Sequence, residues 1–154
     1  MSAPAFSPDE IQTAELTRAA RLKWVVIVDR EAAPGRMVNA VACVSAATGA
    51  IVEGLIARGG PDAAGTDHPG LPWAGCTVLA TSAEKLANAR AKAVAVDGLL
   101  VVDMPLSAQT NRVYDEYLAE LATTTTADLA VSAVSIVGER TQVDAIVKRL
   151  SLLA

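Results

Sequence analysis

The apolar positions fall into short uninterrupted runs separated by stretches with helical spacing. Trp24 to Val28 is an apolar run bounded by Lys23 and Asp29. It is short and β-branched, as expected of a strand buried on both faces. A polar turn holding Pro34 and Gly35 leads into a long Ala- and Val-rich segment that reads as a buried helix, with Gly49 or Gly54 marking its end. Strand, tight turn and helix make the first half of a βαβ unit. Ligands of such units sit beyond the carboxyl end of the strand.

The same reading continues along the chain. Ser7-Pro8-Asp9-Glu10 has the form of a capping box and predicts a helix from about Pro8 to Arg21, although its apolar spacing is weak. Cys76 to Ala80 predicts a second strand. Thr81 and Glu84 predict the cap of a helix running to about Val96, with Leu86, Ala89, Ala93 and Val94 on one side. Leu99 to Val102 predicts a third strand, ended by Asp103. A helix from about Asn111 follows, with Val113, Tyr117, Leu118 and Leu121 inward. Leu129 to Val137 predicts the fourth strand, and Thr141 with Asp144 the cap of a last helix carrying Val143, Ile146, Val147 and Leu150. Four strands and about five helices with helical crossovers predict a three-layer α/β/α sandwich. One domain spans residues 23–154, with a helical extension over residues 1–22.

Composition sharpens this picture. The 154 residues are 52% hydrophobic but only 3% aromatic, so Ala, Val and Leu must build the core. The net charge of −4 opposes general nucleic-acid binding, which needs a basic footprint. Two cysteines, Cys43 and Cys76, have no ligand-spaced partners and read as reduced core thiols in a cytoplasmic protein. No metal or cofactor is expected. The opening MSAPAFSPDEIQ lacks the basic and apolar regions of a secretory signal. Met37 to Ala57 has the length of a membrane span, but polar interruptions favour a helix buried in the domain.

Candidate chemistry gathers at strand ends and in one loop. Asp29, Gly35, Arg36 and Asn39 surround the turn after the first strand. Arg36, at a helix amino terminus, suits a carboxylate or phosphate, or is an ordinary surface arginine. Asn39, in an otherwise apolar helix, needs a ligand or a loop as partner. The stretch Gly59 to Gly75 is long and rich in Gly and Pro, and it contains the only histidine, His68. Histidine can give or take a proton near neutral pH, so His68 is a candidate acid or base, with a backbone-bonded loop histidine as the plain alternative. Asp103 could orient it or cap the turn at Met104-Pro105. Gln109 lies in the loop from the same strand edge. Tyr114 and Asp115 are candidates for the rim.

The series KWVVIVD, PGRMVNAVACVSAATG, DHPGLPW and GLLVVDMPLSAQTNRVYDEYLAEL, with the closing strand and helix, resembles the uncharacterised family labelled domain of unknown function two-thousand. That family looks like a relative of the type II peptidyl-tRNA hydrolases, and the resemblance implies their four-stranded mixed sheet with helices on both faces. The hydrolases carry a Gly-Lys-Gly-Lys turn, then a glutamine and a histidine on the helix. Here the turn reads Pro34-Gly35-Arg36-Met37, and Val41 and Val44 occupy the helix positions, so the catalytic set is not carried over.

Three functions follow. The first is binding of a small anionic molecule, with or without turnover, in a pocket between the first and third strand ends covered by the His68 loop. His68 and Asp103 would meet there as catalytic groups, and Asp29, Gly35, Arg36, Asn39 and Gln109 would bind ligand. The second is a non-catalytic interaction protein, with a homodimer as the expected assembly. The third, and weakest, is a peptidyl-tRNA hydrolase or RNA-binding relative, which predicts a positive surface around Arg30, Arg36 and Arg58.

Overall fold

In the computed structural model, which describes residues 3–153, a mixed sheet carries the fold. Strand β1 (Leu22–Asp29) runs parallel to β4 (Thr77–Thr81) on one side and antiparallel to β6 (Val131–Glu139) on the other. β5 (Leu100–Pro105) pairs antiparallel with β6, and β7 (Ser151–Leu152) pairs antiparallel with β4. The order is β5-β6-β1-β4-β7. The four expected strands are thus joined by a fifth. β7 lies in the terminal SLLA, too short to carry a periodic signal.

Alternation along β1 assigns the two faces. Trp24, Val26 and Val28 point to one side and Val25 and Ile27 to the other, and all five are buried. Helix α1 (Pro34–Ile51) covers the first face through Ala40 and Val44. On the second, α2 (Ala83–Val94) contributes Leu86, Ala89 and Ala93, and α5 (Arg140–Val147) contributes Val143 and Val147. β1, β4 and β5 point the same way, so their carboxyl ends share one edge of the sheet. No described helix is long and apolar enough to cross a membrane.

Four details depart from the sequence reading. The first is the amino-terminal segment, whose described residues make two single turns of 3₁₀ helix, Pro8–Glu10 and Thr17–Ala19, in place of the expected helix. Phe6 and Ala20 are its buried anchors, and residues between them lack a continuous apolar face, so the chain lies across the body as a strap. The second is the cap of α2: Ser82, not Thr81, accepts the Lys85 amide, because Thr81 still belongs to β4. At α5, Thr141 lies inside the helix and Glu139 precedes it. The third is the stretch after Asn111, which is broken: α3 (Leu106–Thr110) starts directly from β5, and α4 (Tyr114–Thr123) follows with no fully buried residue. The fourth is the Gly- and Pro-rich stretch, which is ordered. β2 (Gly60–Pro61) and β3 (Asp67–His68) form a solvent-exposed ribbon. A side chain at Gly70 would collide with the Ala57 carbonyl, so glycine permits this close backbone crossing.

Between α1 and the sheet lies a buried chain of hydrogen bonds. Thr48 donates its only hydroxyl proton to the Val44 carbonyl (2.7 Å), so the Ser135 hydroxyl must donate to Thr48 (2.7 Å). Ser135 in turn accepts the Trp24 indole N–H at 2.8 Å. The polar side-chain atoms of Trp24, Ser135 and Thr48 are thus all paired. Ser135→Ala leaves the Trp24 N–H unpaired in the core and is expected to cost about 1–3 kcal/mol, read from the urea midpoint at an unchanged slope.

Arg21 fastens the strap by pairing with Glu10 and Glu139 and donating to the Ala5 carbonyl (2.9 Å). The Arg21 guanidinium, then the Ser7 amide, pull the Glu10 carboxyl from 4.5 down to about 2. A depressed carboxyl stabilises the fold above its unfolded pKa and loses that effect as pH falls through its folded one. Glu10→Gln should therefore melt below wild type at neutral pH, and the gap should close between pH 4.5 and about 2. Added salt should narrow it as well, because the pair is exposed. Thermal melts across pH test this; a gap that persists at the acid end rules out the ion pair as its cause.

Candidate functional site

The carboxyl half of β5 gives out onto a cleft of about 440 Å³ between α1, β5, α3 and α4. Val44 and Ala47 of α1 and Val102 and Met104 of β5 make its apolar wall. Tyr114 and Tyr117 of α4 stand opposite, their rings 5.5 Å apart and edge to face. Desolvation, then Tyr114 and Asp103, raise the Tyr117 pKa, so its phenol stays protonated and able to donate at neutral pH. Asn111 and Arg112, between α3 and α4, also line it. Asn111 Nδ2 is taken by Glu120 at 2.8 Å, whereas Arg112 makes no ion pair among the described residues.

Of the nine residues singled out in the sequence, Asp115 is exposed on α4 and does not line this cleft, Tyr114 lines it, and so does Asp103. Its carboxylate is engaged by Arg90 of α2, both side chains being largely buried. His68 lies in the ribbon, and its Nε2 is 3.4 Å from Asp62 Oδ2. That ribbon connects α1 to the start of β4, toward the opposite edge of the sheet from the end of β5. The structure therefore does not bring His68 and Asp103 together, and the His68 loop does not cover the cleft. Asp62 accepts the Thr66 and Ala64 amides at 2.9 and 2.8 Å, and these bonds with His68 lower its pKa. His68 thus helps to tie the ribbon tip.

Arg36, Asn39 and Gln109 are brought together as a clamp. Gln109 Nε2 donates to the Arg36 carbonyl (2.9 Å) and to Asn39 Oδ1 (3.0 Å), joining α3 to the first turns of α1. Asn39 thus finds its partner on a neighbouring short helix, not in a loop. Gly35 is exposed in the first turn of α1. Asp29 accepts the Glu31 amide at 3.1 Å and shapes the turn after β1.

The sequence reading missed Arg112, Asn111 and Tyr117 as lining residues and took Cys43 for a core thiol. Cys43 is exposed and lines the cleft, on the side of α1 that points past the sheet. Cys76 is exposed as a residue too, yet its surroundings desolvate the thiol enough to push it up to about 12. Among the described residues no three His, Cys, Asp or Glu side chains could hold a metal ion.

A family model described as "Protein of unknown function (DUF2000)" matches residues 22–154. A solved structure of a protein of unknown function from Agrobacterium tumefaciens strain C58, Atu0240, is similar in fold, with a TM-score of 0.77 at 20% identity. The match covers 87% of this chain and 98% of that one. No curated protein matches.

Proposed function

The chain belongs to the DUF2000 family, and from that premise we propose that it binds a small amphipathic anion in the cleft between α1, β5 and α4. One observation carries the reading: a concave, mainly apolar site of ligand size in which the Arg112 guanidinium has no carboxylate partner among the described residues. An apolar or aromatic body fits against Met104, Val102 and the tyrosines. A carboxylate or phosphate takes Arg112, and the protonated Tyr117 phenol adds a donor. The expected kinship with type II peptidyl-tRNA hydrolases belongs to this proposal as a likeness of fold, supported by the mixed sheet and by α1 following β1. It does not extend to their reaction. Val44 is buried in the core and Met37 and Val41 are half-buried against it, so α1 offers no general base there.

Thermal melts against a set of aromatic and medium-chain carboxylates test the reading. A ligand at a hundred times its Kd contributes about 2.7 kcal/mol, which for a domain of this size raises Tm by roughly 5–10 °C. Ala47→Trp, which fills the cleft, should abolish the shift, and Arg112→Ala should weaken binding about tenfold or more. A shift that survives Ala47→Trp places the ligand elsewhere and overturns the proposal. Protection of Cys43 from a thiol reagent by the same ligand gives an independent readout.

A homodimer is the second reading. Val38, 69% exposed, and the exposed Ala42 and Ala46 put an apolar row on the outer side of α1. Solution mass decides it: a monomer at working concentrations removes it.

A further inference from the structure

The face of the sheet opposite the cleft carries a concentration of positive charge that the acidic composition hides. Between α2 and α5 runs a groove of about 560 Å³ lined by Lys85 and Lys92 on one side and Lys148 and Arg149 on the other. It is continuous, through Lys85, Arg149 and Leu150, with a hollow of about 240 Å³ at the carboxyl end of β4. There Arg30 joins it, fixed by donating to the Ala80 carbonyl at 3.0 Å, together with the hydroxyl residues Thr81, Ser82 and Ser151. Five of the chain's 13 lysines and arginines thus line one connected depression in a protein of net charge −4.

No carboxylate side chain lines either part, and none of the five cations makes an ion pair among the described residues. Lys148 and Arg149, at the end of α5, are favoured there by the helix dipole. Lys85 is not. It occupies the third position of α2, where the positive end of the helix disfavours a cation, and it faces Arg149 across the hollow. Uncompensated like charges in a concave site cost stability and focus a positive field, which an anion relieves.

We propose that this groove binds a small ligand carrying more than one phosphoryl group. One phosphoryl group lies at Arg30, Lys85 and Arg149, and a further one along the helices toward Lys92 and Lys148. Ala89, Ile146 and Leu150 form an apolar floor beneath the ligand's uncharged part. A single-stranded nucleic acid is disfavoured, since no aromatic side chain lines the groove to stack a base and the remaining surface repels a long polyanion. This site is separate from the cleft, so the two proposals stand or fall independently.

Calorimetric titration of the full chain with inorganic tripolyphosphate, pyrophosphate and orthophosphate is the test. Tripolyphosphate should bind at least about tenfold more tightly than orthophosphate, and added salt should weaken it. Lys85→Gln and Arg149→Gln should each weaken tripolyphosphate about tenfold, with Lys92→Gln a second probe of the far end. Arg58→Gln, in the segment leading into the ribbon and outside the groove, should bind as wild type. All four positions are exposed, and matching melts confirm that the variants fold. The proposal is overturned if tripolyphosphate gives no heat up to about 1 mM, or if Lys85→Gln and Arg149→Gln leave its affinity unchanged. Tighter, variant-sensitive binding of a single-stranded RNA oligonucleotide or of phosphatidylserine vesicles overturns the small-ligand assignment.

Discussion

The directed hydrogen-bond chain from Trp24 through Ser135 and Thr48 to the Val44 carbonyl is the constraint on which the arrangement of α1 depends. Apolar packing against a sheet tolerates sliding by a fraction of a turn, because hydrophobic contact has no direction. Hydrogen bonds do not, since each buried donor left without an acceptor is costly. Trp24 on β1, Ser135 on the neighbouring β6 and Thr48 near the end of α1 must therefore meet at one register. Fixing α1 along its axis also fixes its amino end and its middle. The amino end meets Gln109 of α3, and the middle presents Cys43 and Ala47 to the cleft.

The two proposed sites use the two faces of one sheet in different ways. On the α1 side, β5 is an edge strand and α4 packs mainly on α3, with Tyr114 73% exposed. The cleft wall formed by α4 is thus the lightly held part of the domain, and few buried contacts resist its displacement. On the other side, α2 and α5 are anchored by fully buried Leu86, Ala93 and Val143, and the charge stands on a rigid base. A yielding apolar cleft suits varied hydrophobic bodies, whereas a fixed array of cations suits ligands with set spacing between charges.

The central strands were legible because β1, β4 and the first half of β5 are short apolar runs, and the β6 stretch alternates before it runs apolar. Where elements sit relative to one another was not, since that depends on contacts between distant residues. Asp103 stands at a strand end as expected, but its partner is Arg90, on the preceding helix, and not His68. Tyr117, Leu118 and Leu121 have the spacing of a buried helix face. Yet α4 packs mainly on α3, so Tyr117 and Leu121 are only half covered and Leu118 is exposed. The capping box at Ser7 is present, with Glu10 taking the Ser7 amide at 2.8 Å, but a cap alone cannot propagate a helix that has no face to bury. The basic groove was hidden by a chain-wide net charge, which says nothing of where charges gather. Arg30, Lys85 and Arg149 are drawn together only by the fold.

The position of β6 in the sheet has a consequence for how the chain matures. This strand sits between β5 and β1 and is buried for almost its whole length, but it follows β1 by about a hundred residues in the chain. During synthesis, β1, α1 and β4 emerge long before it. β1 can pair with β4 on one side while its other edge, a nearly continuous run of Val and Ile, waits unpaired. Such an edge invites pairing with other chains, and contacts so distant in sequence close slowly. The nascent chain is thus most exposed to aggregation until residue 139 has left the ribosome, when β6 closes the sheet from the middle.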